Sequence, residues 1–349
     1  MTVNEYQKVA PSVVTAYVSS QEGRPDTATR VALYRSMVRL RYLEKRAHDL
    51  FLQGLVKGTS HLGLGQEAIA AAFGTAMRKG DYTFATYRGH NHALARGVSM
   101  TSVMGELMGR SCGLMAGKGG SMHLTSVEHG MMGSYAIVGA HLTIANGAAF
   151  SSKYRGTGEV TVCFFGDGTT NIGAFHEAVN LAAVWQLPVV FVCENNLYME
   201  YTSIFDVTPV ENPAADRAAA YGLESIVVDG NDADAMYATA VTALDNARSG
   251  RGPSLIEAKT YRHGGHSRAD PGKYRPDEEL QAWLARDPVI TYRARLVEAG
   301  VGVQELDLIE EAALKEVDRA TEESRNSPPP DPSLLMKDVF ADGGATWRS

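Results

Sequence analysis

The stretch from Glu159 to Tyr198, EVTVCFFGDGTTNIGAFHEAVNLAAVWQLPVVFVCENNLY, decides the fold. It contains two apolar runs, 160–165 and 187–193, with a helical pattern between them. Apolar runs of this length are typical of strands that are buried on both faces of a sheet. Two such strands joined by a helix lie parallel to each other. The stretch therefore predicts an α/β fold in which helices flank a parallel sheet.

Each predicted strand ends at a polar motif: Gly166-Asp167-Gly168 follows the first strand, and Asn195-Asn196 follows the second. The carboxyl ends of neighbouring parallel strands open onto one crevice, so Asp167 and Asn196 are expected to face each other there. Carboxylate, amide and main-chain carbonyl oxygens suit Mg²⁺, and phosphate oxygens and water can complete its coordination. Taken alone, Gly-Asp-Gly is better explained as a tight turn between a strand and a helix. The paired strand ends favour a metal and phosphate site.

Several residues are suited to hold the phosphate groups. Gly168 lets the backbone approach closely, and a helix that is expected to begin near Thr169 would direct free N–H groups at the anion. Arg88 lies in the segment TYRGH; it could equally be a surface arginine, but its guanidinium suits a diphosphate through two parallel hydrogen bonds. His61 precedes a helix in a Gly-rich turn, where a structural and a functional role are equally plausible.

Composition excludes some classes of function. A net charge of −7 and a pI near 5.8 argue against nucleic acid or an anionic membrane as a partner. The N-terminus lacks the apolar core of a secretory signal, and no apolar run is long enough to span a bilayer. The three cysteines are scattered, and two of them lie in the predicted strands, which is typical of buried thiols. These features predict a cytoplasmic protein.

Hydrophobic periodicity divides the chain into an arm (1–26), one domain (27–325) and a tail (326–349). The first helix is predicted from Thr27 to Gln53, with Arg35, Arg39, Lys45 and Arg46 on a solvated face. After the central stretch, strands at 225–230 and 254–259 enclose a helix at 233–248 and extend the same sheet. Apolar residues follow a proline-rich spacer in the tail. They indicate either a strap over a partner chain or a flexible end.

The region 105–147 is crowded with Gly, Met, Ser and His, which is typical of loops that wrap a ligand. Its run GKGGS, which begins at Gly117, invites comparison with a P-loop. The order GxxxxGK[ST] is absent and no apolar strand precedes it, so we reject that interpretation.

Seven motifs occur in order along the chain: HLGLGQEA at His61, TYRGH at Thr86, GKGGSMH at Gly117, IVGAH at Ile137, GDG at Gly166, ENN at Glu194 and YRHGGHS at Tyr261. Together they resemble the alpha subunits of the thiamine diphosphate-dependent dehydrogenases that feed acyltransferase complexes. That family includes the pyruvate, branched-chain 2-oxo acid and acetoin dehydrogenases. The resemblance covers roughly residues 27–340 and implies a transketolase-like diphosphate-binding fold.

The resemblance implies thiamine diphosphate and Mg²⁺ as cofactors. Asp167, Asn196 and the carbonyl of Tyr198 would hold the metal. His61 and His266 would act near the reactive thiazolium carbon as catalytic residues. The residues implied in cofactor binding are Tyr87, Arg88, Ala136, Val138, Gly168, Thr169, Asn196 and His266.

The implied activity is decarboxylation of a 2-oxo acid, with pyruvate favoured, and reductive acylation of the lipoyl group of an acyltransferase. Acetoin and branched-chain 2-oxo acid dehydrogenase alpha subunits are the alternatives. In this family, a separate beta chain supplies the glutamate that protonates the pyrimidine ring of the cofactor. No second βα domain follows Ala299, so the resemblance implies a heterotetramer of two alpha and two beta chains.

Two rival interpretations can be weighed on the same residues. An NAD-dependent enzyme would need a third glycine, but Asn171 occupies that position and Asp167 would repel the pyrophosphate. An inactive scaffold subunit would have lost expected ligands, whereas all of them are present. The chain also departs from the family pattern. Thr59 and Gly264 replace bulkier residues and suggest a roomier pocket, and the sequence offers no reason for the carboxylate of Glu200.

Overall fold

The computed structural model describes residues 25–56 and 58–337. The predicted arm up to residue 24 and the end of the tail from residue 338 lie outside the described residues. In chain order, the helices and strands are α1 Thr27–Leu52, α2 Glu67–Ala76, β1 Tyr82–Thr86, α3 His90–Ala95, α4 Met100–Leu107, β2 Met131–Tyr135, α5 Ala140–Arg155, β3 Thr161–Gly166, α6 Gly173–Val184, β4 Val189–Asn195, β5 Tyr198–Met199, β6 Thr202–Ser203, α7 Ile204–Val207, β7 Ile226–Asp229, α8 Ala233–Arg248, β8 Ser254–Lys259, α9 Asp277–Leu284, α10 Pro288–Glu298 and α11 Val303–Asn326.

Six strands form one sheet in which every neighbouring pair is parallel, in the order β2-β1-β3-β4-β8-β7. β3 and β4 lie at its centre, and their register runs from Thr161 opposite Val189 to Gly166 opposite Glu194. The predicted α/β fold and the parallel pair are confirmed. The two later strands also join this sheet as predicted, with β8 beside β4 and β7 at the edge.

Helices cover both faces of the sheet. Val162 and Phe164 of β3 join an apolar core with residues of α1, α2, α4, α8 and α11. Cys163 and Phe165, which alternate with them, join a second core with residues of α5 and α6. Because both faces are covered, these strands carry apolar residues at successive positions.

The sequence predicts neither β1 nor β2. Both are five residues long and contain polar residues, so neither presents an apolar run. β2 lies at the edge of the sheet beside β1, and its Gly133 has a φ of 143°. Their extended form depends on pairing with a neighbour, because strand propensity is mainly a measure of packing context.

The helix after the Gly-Asp-Gly motif begins at Gly173, so the prediction of a start near Thr169 is wrong. A 3-10 turn, Asp167–Asn171, comes first. Ile172 then adopts an extended conformation, with φ −108° and ψ 151°, which separates the turn from the helix. Gly168 and Thr169 therefore lie in a tight turn at the end of β3.

The expected solvated face of α1 also needs correction. Arg39 pairs with Glu316 at 2.7 Å, and Arg46 pairs with Asp318, so α11 lies across this face. The other two basic residues of the predicted face are exposed. Periodicity within α1 cannot show that a helix from the far end of the chain packs there.

The beginning of the tail contacts its own chain. The carbonyl of Pro328 accepts a hydrogen bond from the N–H of Ser111 at 2.9 Å, and Ser327 Oγ accepts from the N–H of Cys112 at 3.1 Å. Leu335 is exposed. The division into arm, domain and tail and the contact with a partner stay predictions, and Val339 and Phe340 lie outside the described residues.

All three cysteines are free thiols, and Cys163 and Cys193 are buried in the sheet as expected. Cys112 is only half-buried. None of the helices in residues 25–56 and 58–337 is both long and apolar enough to span a bilayer.

One buried carboxylate fastens three segments at the amino-terminal edge of the sheet. Asp81 accepts hydrogen bonds from the N–H groups of Arg78 and Val160, at 2.8 and 2.9 Å. The guanidinium of Arg248, at the end of α8, donates to both carboxylate oxygens at 3.0 and 2.8 Å. Asp81 thereby joins the starts of β1 and β3 to α8.

Replacement of Asp81 by alanine is expected to lower the free energy of unfolding by about 3–5 kcal/mol, because it leaves a largely buried guanidinium and two N–H groups without their acceptor. Urea denaturation followed by circular dichroism measures this change. Asp318→Ala removes an exposed ion pair and is the control, with an expected loss below about 1 kcal/mol. Equal losses in the two variants would contradict the role of Asp81.

Candidate active site

A cavity of about 430 Å³ opens at the carboxyl ends of β1, β3 and β4, where the sequence predicts the site. Every predicted site residue lines it except His61 and Ala136. The residues that line the cavity are Gln66, Thr86, Tyr87, Arg88, Tyr135, Val138, Gly166, Asp167, Gly168, Thr169, Ile172, Glu194, Asn196, Tyr198, Met199, Glu200, Arg262 and His266.

Asp167 is a buried carboxylate with unused hydrogen-bonding capacity. Its side-chain Oδ2 has no hydrogen-bond partner among the described residues. Burial raises the pKa of Asp167 to about 6, although the positive charge of Arg262 and the N–H of Gly168 act in the opposite direction. A buried oxygen without a partner is costly unless a ligand satisfies it. The environment of Asp167 therefore suits a bound cation.

The two asparagines turn the chain sharply at the end of β4. Asn195 Oδ1 accepts a hydrogen bond from the N–H of Leu197 at 3.0 Å, and Leu197 has a φ of 71°. The amide of Asn195 also donates to Glu257 Oε1 at 2.7 Å, which anchors the turn to β8. Such side-chain to backbone bonds are the reason that asparagine favours turns. They place Asn196 and Tyr198 at the cavity.

Arg88 joins the two segments that carry the predicted catalytic histidines. Its Nη1 donates to the carbonyl of Leu62, and its Nη2 donates to the carbonyl of His266 at 3.1 Å. Burial, together with the nearby charge of Arg262, lowers the pKa of Arg88 to about 10, so it stays charged at neutral pH. Arg88 thus fixes both segments and brings a positive charge to the cavity wall.

The two histidines lie against each other. The ring centroids of His61 and His266 are 4.8 Å apart, and the ring of Tyr87 is 4.4 Å from that of His61. Burial and the charge of Arg88 lower the pKa of His61 to about 3 and that of His266 to about 4. Both imidazoles are therefore neutral at neutral pH. His266 lines the cavity, and His61 packs against the two rings that do.

Arg262 also lines the cavity, although the sequence does not single it out from the motif YRHGGHS as a candidate site residue. It is fully buried, and its Nε lies 3.3 Å from Asn196 Oδ1. Its Nη2 donates to the carbonyl of Glu200 at 3.1 Å. The signal was its place just beyond Lys259, where β8 ends at the same edge of the sheet as the cavity.

Glu200 occupies the turn of the small β5–β6 hairpin with a φ of 55°. The main-chain carbonyl of Glu200 accepts a hydrogen bond from Arg262, so part of the role of this position is independent of its carboxylate. Gln66, Tyr135, Ile172, Glu194 and Met199 are further lining residues that the sequence did not single out.

The segment that carries His266 is fixed from within. The Asp270 carboxylate accepts from the N–H of His266 at 2.5 Å, from the N–H of Gly272 at 2.8 Å and from the hydroxyl of Tyr274 at 2.9 Å. Gly265 has no room for a side chain, because an added Cβ would lie 2.2 Å from the carbonyl of Asp270. This packing sets the backbone position of His266 at the cavity.

The GKGGS loop binds a carboxylate of its own chain. Glu106 of α4 is fully buried and accepts four hydrogen bonds of 2.7–3.0 Å. The donors are the N–H groups of Met115, Gly117, Gly119 and Gly120. Backbone N–H groups that converge in this way form an anion-binding concavity, and here the anion is a side chain. These N–H groups are therefore occupied by Glu106, whereas those of a P-loop bind phosphate.

The chain is similar to known proteins over most of its length. A family model described as dehydrogenase E1 component matches residues 34–333. The chain belongs to this family. Membership implies thiamine diphosphate as the cofactor, in agreement with the sequence resemblance.

Curated relatives support the same assignment. The alpha subunit of acetoin:2,6-dichlorophenolindophenol oxidoreductase from Bacillus subtilis is 42% identical over 309 residues, which cover 88% of this chain and 92% of that one. The pyruvate dehydrogenase E1 component subunit alpha from Rhizobium meliloti is 39% identical over 309 residues, or 88% of each chain. A chloroplastic counterpart from Arabidopsis thaliana is 38% identical over 343 residues, covering 96% of this chain and 78% of that one. This dehydrogenase E1 chain therefore resembles alpha subunits over most of its length.

His61 should make the stability of this E1 chain sensitive to acid. Its folded-state pKa is lowered to about 3, whereas the unfolded value is near 6.5, so the unfolded state binds more protons between these values. Stability from this group is complete above pH 6.5 and falls as the pH drops. Unfolding of wild type and His61→Gln without cofactor, measured between pH 7 and 5, should show wild type losing about 1 kcal/mol more per pH unit below pH 6. Parallel pH profiles would contradict the buried, neutral state of His61.

Proposed function

We propose that the chain is the alpha subunit of a thiamine diphosphate-dependent dehydrogenase that decarboxylates a 2-oxo acid and acylates the lipoyl group of an acyltransferase. The observation that carries this proposal is the cavity at the strand ends. There, a buried carboxylate with an unsatisfied oxygen shares the cavity wall with two buried arginines and the neutral His266, against which the neutral His61 packs. Such a cavity suits a diphosphate accompanied by a divalent cation.

The residues present fit Mg²⁺ bound together with a diphosphate. Asp167 would supply a carboxylate oxygen, Asn196 an amide oxygen and Tyr198 a main-chain carbonyl. Among the described residues, no cluster of three or more His, Cys, Asp or Glu could hold a metal ion, so phosphate oxygens and water would supply the other ligands. Arg88, Tyr87, Gly168, Thr169 and His266 would hold the diphosphate, and the segment of Ala136 and Val138 would meet the pyrimidine.

When bound, thiamine diphosphate supplies the electron sink that allows the bond beside the substrate carbonyl to break. The chain's own residues prepare the site for that chemistry. His266 lines the cavity as a neutral ring that can donate or accept a hydrogen bond at the substrate carbonyl. His61 supports that ring by direct contact, and the buried Arg88 holds the segments of both histidines together.

Asp167→Asn should separate stability from function. The pKa of Asp167 is raised to about 6, so its ionised form carries a cost in the cofactor-free protein at pH 8. Removal of that charge is expected to stabilise the cofactor-free chain by about 1–3 kcal/mol. The variant should lose the rise in melting temperature that Mg²⁺ and thiamine diphosphate together give wild type.

Differential scanning calorimetry with and without Mg²⁺ and thiamine diphosphate measures both effects. Asp206→Asn changes an exposed aspartate and should behave like wild type. If Asp167→Asn bound the two ligands as tightly as wild type does, the metal assignment would be wrong.

An exposed apolar face on α5 and α6 supports a beta subunit as partner. The ring centroids of Phe150 and Trp185 lie 5.4 Å apart with their planes tilted, and Ile144 of α5 and Val184 of α6 are also exposed. Val138, which also lines the cavity, extends this face to the cavity mouth. Large exposed apolar patches mark interaction sites. A beta chain seated here would also reach the cofactor, and a tetramer of two alpha and two beta chains fits this arrangement.

The purified alpha chain is expected to be inactive and to gain activity on mixing with its beta subunit, because the proposed pyrimidine-activating glutamate belongs to the partner. Val184→Asp should prevent this gain by burying a charge at the interface, while the melting temperature of the free alpha chain stays unchanged. Leu308→Asp, at a similarly exposed position of α11, is the control and should assemble normally. Analytical ultracentrifugation and turnover assays measure the two effects. Turnover by alpha chain free of beta chain would refute the proposal.

Pyruvate is the favoured substrate, and acetoin is the second candidate because the relatives include alpha subunits of both kinds of enzyme. Branched-chain 2-oxo acids are the third. Coupled assays of the reconstituted subunits with each substrate and a lipoyl domain will identify the acyl donor. The free thiols fit a reducing compartment, and we propose the cytoplasm.

A further inference from the structure

A buried chain of hydrogen bonds ends next to His61. It begins at Glu44, a carboxylate of α1 that is inaccessible to solvent. Glu44 Oε2 lies 3.0 Å from His90 Nδ1, and His90 Nε2 lies 2.8 Å from Ser121 Oγ. The hydroxyl of Ser121 then donates to Ser60 Oγ at 2.8 Å. The chain thus runs from the middle of α1 to the residue immediately before His61.

The second oxygen of the same carboxylate contacts the other side of His61. Glu44 Oε1 accepts a hydrogen bond from the N–H of Gly63 at 2.9 Å. Gly63 has no room for a side chain, since an added Cβ would lie 2.5 Å from Asn91 Nδ2. One carboxylate therefore fixes the backbone two residues after His61 directly and the residue before it through the chain.

His61 needs such support, because its side chain is weakly oriented by hydrogen bonds. His61 Nδ1 is buried and has no hydrogen-bond partner among the described residues. Contacts with the rings of Tyr87 and His266 limit its rotation. The direction in which the imidazole points thus follows from the position of its backbone.

The series of carboxylate, imidazole and hydroxyl resembles the arrangement that activates a serine nucleophile. Here that role is excluded by access. Ser121 is 3% exposed and is not among the residues that line the cavity, so a substrate cannot reach its hydroxyl. The same order of groups serves in this molecule to hold a loop.

We propose that Glu44 is a positioning residue for His61, acting directly through Gly63 and indirectly through His90, Ser121 and Ser60. This inference rests on the proposed function, in which His61 supports the reacting end of the site. Loss of this support should displace His61 and slow turnover. Binding of Mg²⁺ and thiamine diphosphate should not change, because it depends on other residues.

A double-mutant cycle in the assembled alpha and beta enzyme tests the proposal. Ser121→Ala cuts the chain without removing the buried charge of Glu44, and should lower kcat about 10-fold, since small displacements near the reacting groups are costly. The Kd of Mg²⁺ and thiamine diphosphate should stay within about 2-fold of wild type. In the His61→Gln background, Ser121→Ala should cause no further loss, because the two residues act as one unit. Equal fold losses in both backgrounds would overturn the proposal.

Ser152→Ala is the matched control. Ser152 is also 3% exposed, but its hydroxyl donates to the carbonyl of Ala148 within α5, so kcat should not change. Glu44→Gln preserves the volume of the side chain and one acceptor oxygen, and is expected to reduce kcat less than Ser121→Ala does. A larger loss in Glu44→Gln with unchanged kcat in Ser121→Ala would show that the chain through His90 is not used.

Hydrogen exchange gives a readout that does not depend on activity. In the full alpha chain without cofactor, Ser121→Ala should speed amide exchange in the segment 60–66 at least several-fold, and Ser152→Ala should leave it unchanged. Unchanged exchange in Ser121→Ala overturns the positioning role even if turnover falls. Faster exchange in an assembled enzyme that shows no cofactor-dependent turnover would support the positioning role while the proposed function fails.

Discussion

The pairing of β3 with β4 is the constraint on which the rest of the site depends. Its register sets Gly166 opposite Glu194, so the Gly-Asp-Gly turn and the Asn-Asn turn leave the sheet side by side. A shift by one residue would reverse which side chains face each core and would separate the two turns. β1 and β8 flank this pair and bring Arg88 and Arg262 to the same edge. The chemistry is thus assembled by strand order rather than by any single loop.

This edge of the sheet concentrates buried ionisable groups of both signs. Two buried arginines lie near one carboxylate whose pKa is raised and two histidines whose pKa values are lowered. Each of these perturbations is a cost that burial imposes on the cofactor-free protein. A bound diphosphate would pair with the arginines, and its metal ion would pair with the carboxylate. These charges support the proposal of a ligand that carries a negative group together with a divalent ion.

The sequence predicts the parts of this fold whose signal is local. The central strands and α8 have strong periodicity, and α8 runs from Ala233 to Arg248 as predicted. β1, β2 and the cover of α1 by α11 depend on partners distant in sequence, and spacing within a segment cannot report them. The site follows the same rule. Motifs at strand ends point to Asp167 and Asn196 as candidate site residues, whereas Arg262 reaches the cavity through the position of β8 in the sheet.

The carboxylate of Glu106 gives the GKGGS loop a permanent internal counter-ion. The conformational entropy cost of ordering this glycine-rich segment is consequently met once, during folding. It does not recur each time that a small molecule binds. Its amides are also withheld from the free phosphate of a cell, which would otherwise compete for them. A segment whose composition is that of a ligand-binding loop is here bound to a side chain of its own chain, immediately before Ser121.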